Sequence, residues 1–228
     1  MFTIFERMEN MNYEEIYLSL DIEADGRVPG ISSMLSFGLA AYDMDKNYLG
    51  SFERNLDLLP NAKPHPETEK FWEDNQEAYD ITRINMVKPY DAMMDCSKWI
   101  NDIRQTFKGK PTVVGYPATF DYMFYNWYMC AFLGNNAMGF GALDVKSYAM
   151  AMLKKTFRNT TKRAMPREWF DAFPHTHVAI EDSLEQGALT INMIRANLGL
   201  ERIIGVKAHS KAIEDINPGT KIQLPARR

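Results

Sequence analysis

Residues 16–26, Ile-Tyr-Leu-Ser-Leu-Asp-Ile-Glu-Ala-Asp-Gly, set the strongest constraint on this chain. Ile16, Leu18, Leu20 and Ile22 alternate with Tyr17, Ser19, Asp21 and Glu23, the period of a β-strand with one apolar face. Asp21 and Glu23 therefore leave the same face, one pleat apart. Two carboxylates held so close repel each other unless a cation sits between them or one keeps a proton. Ala24-Asp25-Gly26 signals a turn, which puts the pair at the strand's end. That is where α/β folds keep their chemistry. Any fold for this chain has to bring something to that pair.

The 228 residues are 46% hydrophobic and 25% charged, enough for one globular domain with a sizeable core. A formal net charge of −4 argues against a protein that coats nucleic acid, though not against an enzyme that touches a few nucleotides. Cys96 and Cys130 have no ligand-like spacing and read as buried thiols in a reducing compartment. Residues 1–15 are charged and lack the apolar run of a secretory signal. No stretch approaches the roughly 18 apolar residues that a membrane helix needs. The expected location is the cytoplasm, with no membrane contact.

Three strands with short connections are expected at residues 16–23, 34–42 and 48–58, the last two joined at Asp43–Asn47. Helices are expected from Pro66 and over 89–107, then a buried strand at 112–116. An aromatic helix over 119–133 follows, with Phe120, Phe124, Trp127, Tyr128 and Ala131 as its core stripe. A short strand at 142–145, a helix from Ser147 to Leu153 and a last helix over 181–198 complete the pattern. This gives a leader over 1–15, one domain over 16–200 and a loosely ordered extension over 201–228. Residues 154–167 carry six basic residues and no acidic one, in a chain that is acidic overall. A solvated loop is the ordinary reading of such a run. Its one-signed charge favours a segment that faces phosphate, with Lys162 and Arg163 as contacts.

Further acidic residues stand at element starts. Asp121 lies in the first turn of the aromatic helix and Asp182 in the first turn of the last one; His177 comes five residues before Asp182. Singly, each aspartate reads as a helix-end charge, and Asp182 with Glu185 spaces like a capping box. Asp21 and Glu23 have no such account, because adjacent buried carboxylates are costly without a partner.

Taken together, Asp21-x-Glu23, Phe120-Asp121 and His177-x-Ala179-x-x-Asp182 resemble the three motifs of the DEDDh 3′–5′ exonucleases, in order and spacing, over about residues 16–198. The family belongs to the ribonuclease-H-like superfamily. The resemblance implies an α/β fold: a mixed five-stranded sheet of order 3-2-1-4-5 with helices on both faces. It implies an enzyme that cuts nucleoside 5′-monophosphates from the 3′ ends of single-stranded RNA or DNA. Two divalent cations, Mg²⁺ or Mn²⁺, can clamp the attacking and leaving oxygens of such a reaction, and hard ions take carboxylate oxygens. By resemblance, Asp21, Glu23 and Asp182 hold one ion. Asp21 bridges to the second, with Asp121 supporting it. His177 takes the proton from water, a role that suits the ordinary pKa of a histidine. His175 is the second choice for that role. The resemblance also points to Ala24, Asp25, Gly26, Met34, Leu35 and Phe120 as substrate contacts; Met34 and Leu35 sit where apolar residues wedge against bases, and core packing is an equal reading of both.

This chain departs from the family at Tyr116-Pro117, where His-Asn is common, and at Ala24-Asp25, where Thr-Thr is common. DNA against RNA stays open, as does the oligomeric state, a homodimer being one option. The alternatives are a non-catalytic binding module on the same fold and a phosphatase with an aspartyl nucleophile. The second lacks the Asp-x-Asp such chemistry wants.

Overall fold

The computed structural model describes residues 14–174 and 176–227. The expected leader thus lies outside the described residues, apart from Glu14 and Glu15. So does His175.

Six strands form one sheet: β1 (Glu15–Ala24), β2 (Met34–Tyr42), β3 (Asn47–Asn55), β4 (Lys110–Gly115), β5 (Ala142–Asp144) and β6 (Lys207–Asp215). Their order is β5-β4-β1-β2-β3-β6. The meander β1-β2-β3 is antiparallel, β4 and β5 extend it in parallel on one side, and β6 lies parallel to β3 on the other. The expected order 3-2-1-4-5 is present inside this sheet, and the sixth strand is a correction. It comes from the tail expected to be loosely ordered. Residues 207–215 carry little apolar alternation because an edge strand pairs on one side only, and this one stays largely exposed. The Nε1 of Trp99 donates to the carbonyl of Ile213 at 2.9 Å and ties the strand down.

The helices are α1 (Pro66–Asp74), α2 (Gln76–Thr82), α3 (Pro89–Phe107), α4 (Ala118–Leu133), α5 (Val145–Leu153) and α6 (Ala179–Asn197). The alternation of β1 divides the core. Ile16, Leu18, Leu20 and Ile22 face α3 and α4 with Phe37, Leu39 and Phe52. Tyr17 faces α6 with Ala40, Tyr42, Tyr48 and Val114. Asp21 and Glu23 share that second face, beneath the start of α6.

The aromatic stripe of α4 is rotated from the expected one. Phe124 and Tyr128 are buried as expected, but Tyr122, Tyr125 and Met129 join them, while Phe120 and Trp127 are half-buried and Ala131 is exposed. Asp121 has to point inward, and that rotates the helix. Cys130 is exposed rather than buried; Cys96 is buried, and both are free thiols. Among the described residues no helix is long and apolar enough to cross a membrane.

Candidate active site

Asp21 and Glu23 leave the end of β1 on successive rungs of the sheet. Asp21 pairs with Gly38 of β2, which pairs with Glu53 of β3; Glu23 pairs with Ser36, which pairs with Asn55. The register slips just after Glu23, so the strand ends there. The indole of Trp72 on α1 donates to the Ala24 carbonyl at 3.0 Å and pins α1 against this end.

Gly38 decides how near α6 can come. A Cβ on Gly38 would lie 2.6 Å from the backbone N and Cα of Ile180 and 2.7 Å from the carbonyl carbon of Ala179. Backbone cannot move aside cheaply, so only glycine lets the first turn of α6 rest on the rung of Asp21. A glycine inside an apolar strand was the sequence signal for this approach.

Asp182 is buried in that first turn, as the fourth residue of a helix that starts at Ala179. Asp121 is likewise the buried fourth residue of α4, which starts at Ala118. Neither is an N-cap, so the capping reading of both fails. Asp144 caps instead: its Oδ2 accepts from the Ala118 amide at 2.9 Å and its Oδ1 from the Ser147 amide at 2.6 Å. The backbone amides of Ile22, Asp121 and Tyr116 lie near enough to the Asp121 carboxylate to draw its pKa down. Its Oδ2 is nevertheless buried without a hydrogen-bond partner.

His177 stands just before α6 with φ of +55°, a left-handed conformation uncommon outside glycine, though histidine is among the residues enriched there. Its ring meets Phe71 of α1 edge-on, with centroids 5.5 Å apart. One ligand atom from each of Glu23, His177 and Asp182 lies within 4.8 Å of the other two.

The electrostatics follow from this crowding. Burial raises Asp21 well above the usual carboxylate range; Asp121, Glu23 and Asp182 push it further, and Lys162 draws it back. Burial, then Asp182 and Asp121, raise Glu23 in the same way. Burial pushes Asp121 up to about 8 against the pull of its backbone amides. The donor set fits a hard divalent cation: carboxylate oxygens with one imidazole, a buried oxygen with no partner, and carboxyl groups whose ionisation burial and one another oppose.

The remaining sequence candidates divide. Asp25 is not free to meet a substrate: its Oδ1 accepts from the Ser33 amide at 2.6 Å, and its backbone pairs with Ser33 and His65. Met34 and Leu35 are fully buried, which corrects the expected wedge against bases. Their alternation leaves no face to solvent, because Leu35 packs on Trp72 and Ala78 while Met34 joins the main core. Gly26 lies against Ser32 and His65. Phe120 is half-buried against Phe124. Lys162 pairs with Glu185 of α6 and sits 5.6 Å from the centre of the Tyr116 ring, so a family departure serves to dock the basic run. Arg163 is exposed. Sequence reasoning missed Gly38, Phe71 and Asp144, and read Glu185 only as half of a capping box.

No family profile matches the chain. A protein of Escherichia coli, the 3′–5′ DNA exonuclease Cap18, is 30% identical over 185 residues, covering 77% of this chain and 90% of that one. The chain belongs to the DEDDh family of 3′–5′ exonucleases. The fold of this exonuclease agrees with the nuclease domain of 3′hExo, a DEDDh member solved with rAMP: the TM-score is 0.60 at 13% identity, over 84% of this chain and 96% of that one. A Mg²⁺- and Mn²⁺-bound structure of S. pombe Pop2p matches at a TM-score of 0.50 and 12% identity, over 85% of this chain and 89% of that one. Asp21, Glu23, Asp121, His177 and Asp182 thus meet at one sheet end in an exonuclease fold.

Proposed function

We propose that this exonuclease removes nucleoside 5′-monophosphates one at a time from the 3′ ends of single-stranded DNA, with two divalent cations, Mg²⁺ or Mn²⁺. The observation that carries the reading is the buried, partnerless Oδ2 of Asp121, a residue near enough to Asp21 and Glu23 to join burial in holding their carboxyls above the ordinary range. Asp21, Glu23 and Asp182 would hold one cation, and Asp21 with Asp121 the other. When bound, such cations supply positive charge that stabilises the attacking and leaving oxygens of an in-line displacement.

The chain's own residues do the rest. His177 accepts a proton from the attacking water, and its place beside Glu23 and Asp182 puts it within reach of that region. Phe71 limits how far the imidazole can swing. Lys162, held between Tyr116 and Glu185, offers a charge to the phosphate. The name of the Escherichia coli relative supports DNA over RNA. All five motif residues are kept and gathered, so the non-catalytic alternative is not adopted. Two free thiols suit a reducing compartment, and we place the enzyme in the cytoplasm.

The test is digestion of 5′-labelled DNA and RNA strands of one sequence with Mg²⁺, with Mn²⁺ and with a chelator. The expected result is a ladder that shortens from the 3′ end only with cation, faster on DNA, and that Asp121→Asn and His177→Ala suppress. No shortening, or shortening that persists in chelator, defeats the reading.

A further inference from the structure

We infer that residues 154–167 form a second contact surface of this enzyme, one that takes the sugar-phosphate backbone of the strand on the 5′ side of the bond being cut. The inference rests on the exonuclease reading above and extends it away from the metal site.

The run is built, not slack. It leaves α5 at Lys154 and continues through three single-turn 3-10 helices, Phe157–Asn159, Lys162–Ala164 and Arg167–Trp169. Thr160, Met165 and Trp169 are buried and fix it to the body of the protein. The Thr160 hydroxyl donates to the Thr156 carbonyl at 3.0 Å, and Lys155 Nζ to the Ala164 carbonyl at 3.0 Å. Lys162, in the second of these turns, ties the middle of the run to the active site through Glu185 and Tyr116.

Over residues 154–167 this scaffold holds outward charge of one sign, Glu168 being the first acidic residue after it. Lys154, Arg158, Arg163 and Arg167 are exposed or half-exposed and form no ion pair among the described residues. An ordinary solvated face mixes signs, as α3 does where Lys98 pairs with Asp102. Arginine's planar fork of donors matches phosphate oxygens. Phe157 stands among these cations, 47% exposed, with Lys146 Nζ 4.2 Å from its ring centre. Basic residues around an exposed aromatic ring are the usual surface for a single strand.

The active site supplies the need for such a surface. Asp21, Glu23, Asp121 and Asp182 present negative charge at the cleft, with Asp144 and Glu185 close behind. Cations there would neutralise the phosphate being attacked. The phosphates that follow it along the strand meet no such help unless the protein offers cations of its own. The 154–167 run offers them, starting at the wall of the cleft.

The test compares two substrates. The p-nitrophenyl ester of thymidine 5′-monophosphate has no upstream strand; a DNA strand of about twenty nucleotides does. For Arg158→Glu with Arg167→Glu, we expect ester hydrolysis within about twofold of the parent and a KM for the strand raised about tenfold or more. The slope of log affinity against log salt should weaken by about 0.7 for each phosphate that the variant no longer neutralises. Lys207→Glu with Lys211→Glu changes net charge equally on the exposed β6 and should leave KM near the parent value. Anisotropy of a labelled strand reads the same contrast without hydrolysis. An unchanged KM and salt slope in the first pair, or an equal effect in the β6 pair, overturns the inference. A parent that cleaves neither substrate but shows the binding contrast defeats the exonuclease reading, and with it the placement 5′ of a cut bond, while the strand contact of 154–167 is retained.

Discussion

The starts of α4 and α6 each deliver a carboxylate to the site from the fourth helical residue, yet they hold it by different means. α4 follows β4 after only Tyr116 and Pro117. Asp144 bonds its first amide at 2.9 Å, and the backbone amides near the Asp121 carboxylate favour its charged form. α6 arrives after the long 154–178 connection, and its N-cap Val178 supplies no side-chain bond. It is seated instead by backbone packed on the bare Gly38. One half of the site is therefore positioned by polar bonds and the other by close packing. Charge substitutions should injure the first half through few atoms, whereas a single methyl group should injure the second.

The largest effects should be blind to this difference. Asp121→Ala and Asp182→Ala each remove an oxygen donor from the charge that both halves share, and each should lower kcat by about a thousandfold or more with little loss of fold. If one keeps near-parent activity in Mg²⁺, the two halves do not serve one reaction.

The comparison sharpens at glycine. Gly38→Ala forces the first turn of α6 off the sheet, and we expect kcat to fall about a hundredfold, with an overpacking cost of about 1–3 kcal/mol. Gly187 lies further along α6, where an added Cβ would meet the Tyr42 ring at 2.5 Å and Ser19 Cβ at 3.0 Å. Gly187→Ala should cost similar stability and far less activity, about threefold at most, because Asp182 stays seated. Thermal melts with kcat for both variants decide it. Equal loss of kcat would mean that Gly38 acts only through stability.

The same contrast explains which features the sequence could reveal. The antiparallel meander and the strand that carries Asp21 and Glu23 were legible because alternation reports a half-apolar strand directly. The five motif residues were legible because their order and spacing are themselves a pattern. β6 was not, since an edge strand such as residues 207–215 has no buried face to impose alternation. Met34 and Leu35 left wedge and core equally open, because a strand covered on both sides has no solvent face by which the sequence could decide. Asp144, Phe71 and Glu185 act only through contacts far apart in sequence, which no local pattern contains. Gly38 left a visible mark, a glycine inside a strand, whose meaning depended on which helix would land there.

Charge in the shared centre gives a weaker, pH-dependent effect. Asp21, Glu23 and Asp121 have folded pKa values above the unfolded carboxylate value of about 4. The folded state then holds more protons than the unfolded one, so stability falls as pH rises from about 4 towards 8. In chelator, Tm should drop by about 5 °C or more between about pH 6 and pH 8. Excess Mg²⁺ or Mn²⁺ should raise Tm and flatten that slope, since a bound cation favours the ionised carboxylates. A Tm that rises with pH in chelator would show that the cluster's charge is relieved by something other than protons.

The smallest effect tests the cap. Asp144 bonds the first turns of α4 and α5 with different oxygens, and it also adds negative potential at Asp121. Asn offers one acceptor oxygen where Asp144 offers two, and its NH2 group would face the second helix amide, so Asp144→Asn should cost about 1 kcal/mol. Asp144→Ala leaves both helix-start amides without their acceptor and should cost about 1–2 kcal/mol. If the polar half of the site depends on this cap, both variants should also lose kcat, the alanine variant about threefold and the asparagine variant less, because Asp121 rides on the turn that Asp144 closes. Parent kcat in both variants, with the expected loss in Tm, would mean that the first turn of α4 places Asp121 without its cap. The contrast between α4 and α6 would then lie in the packing at Gly38 alone.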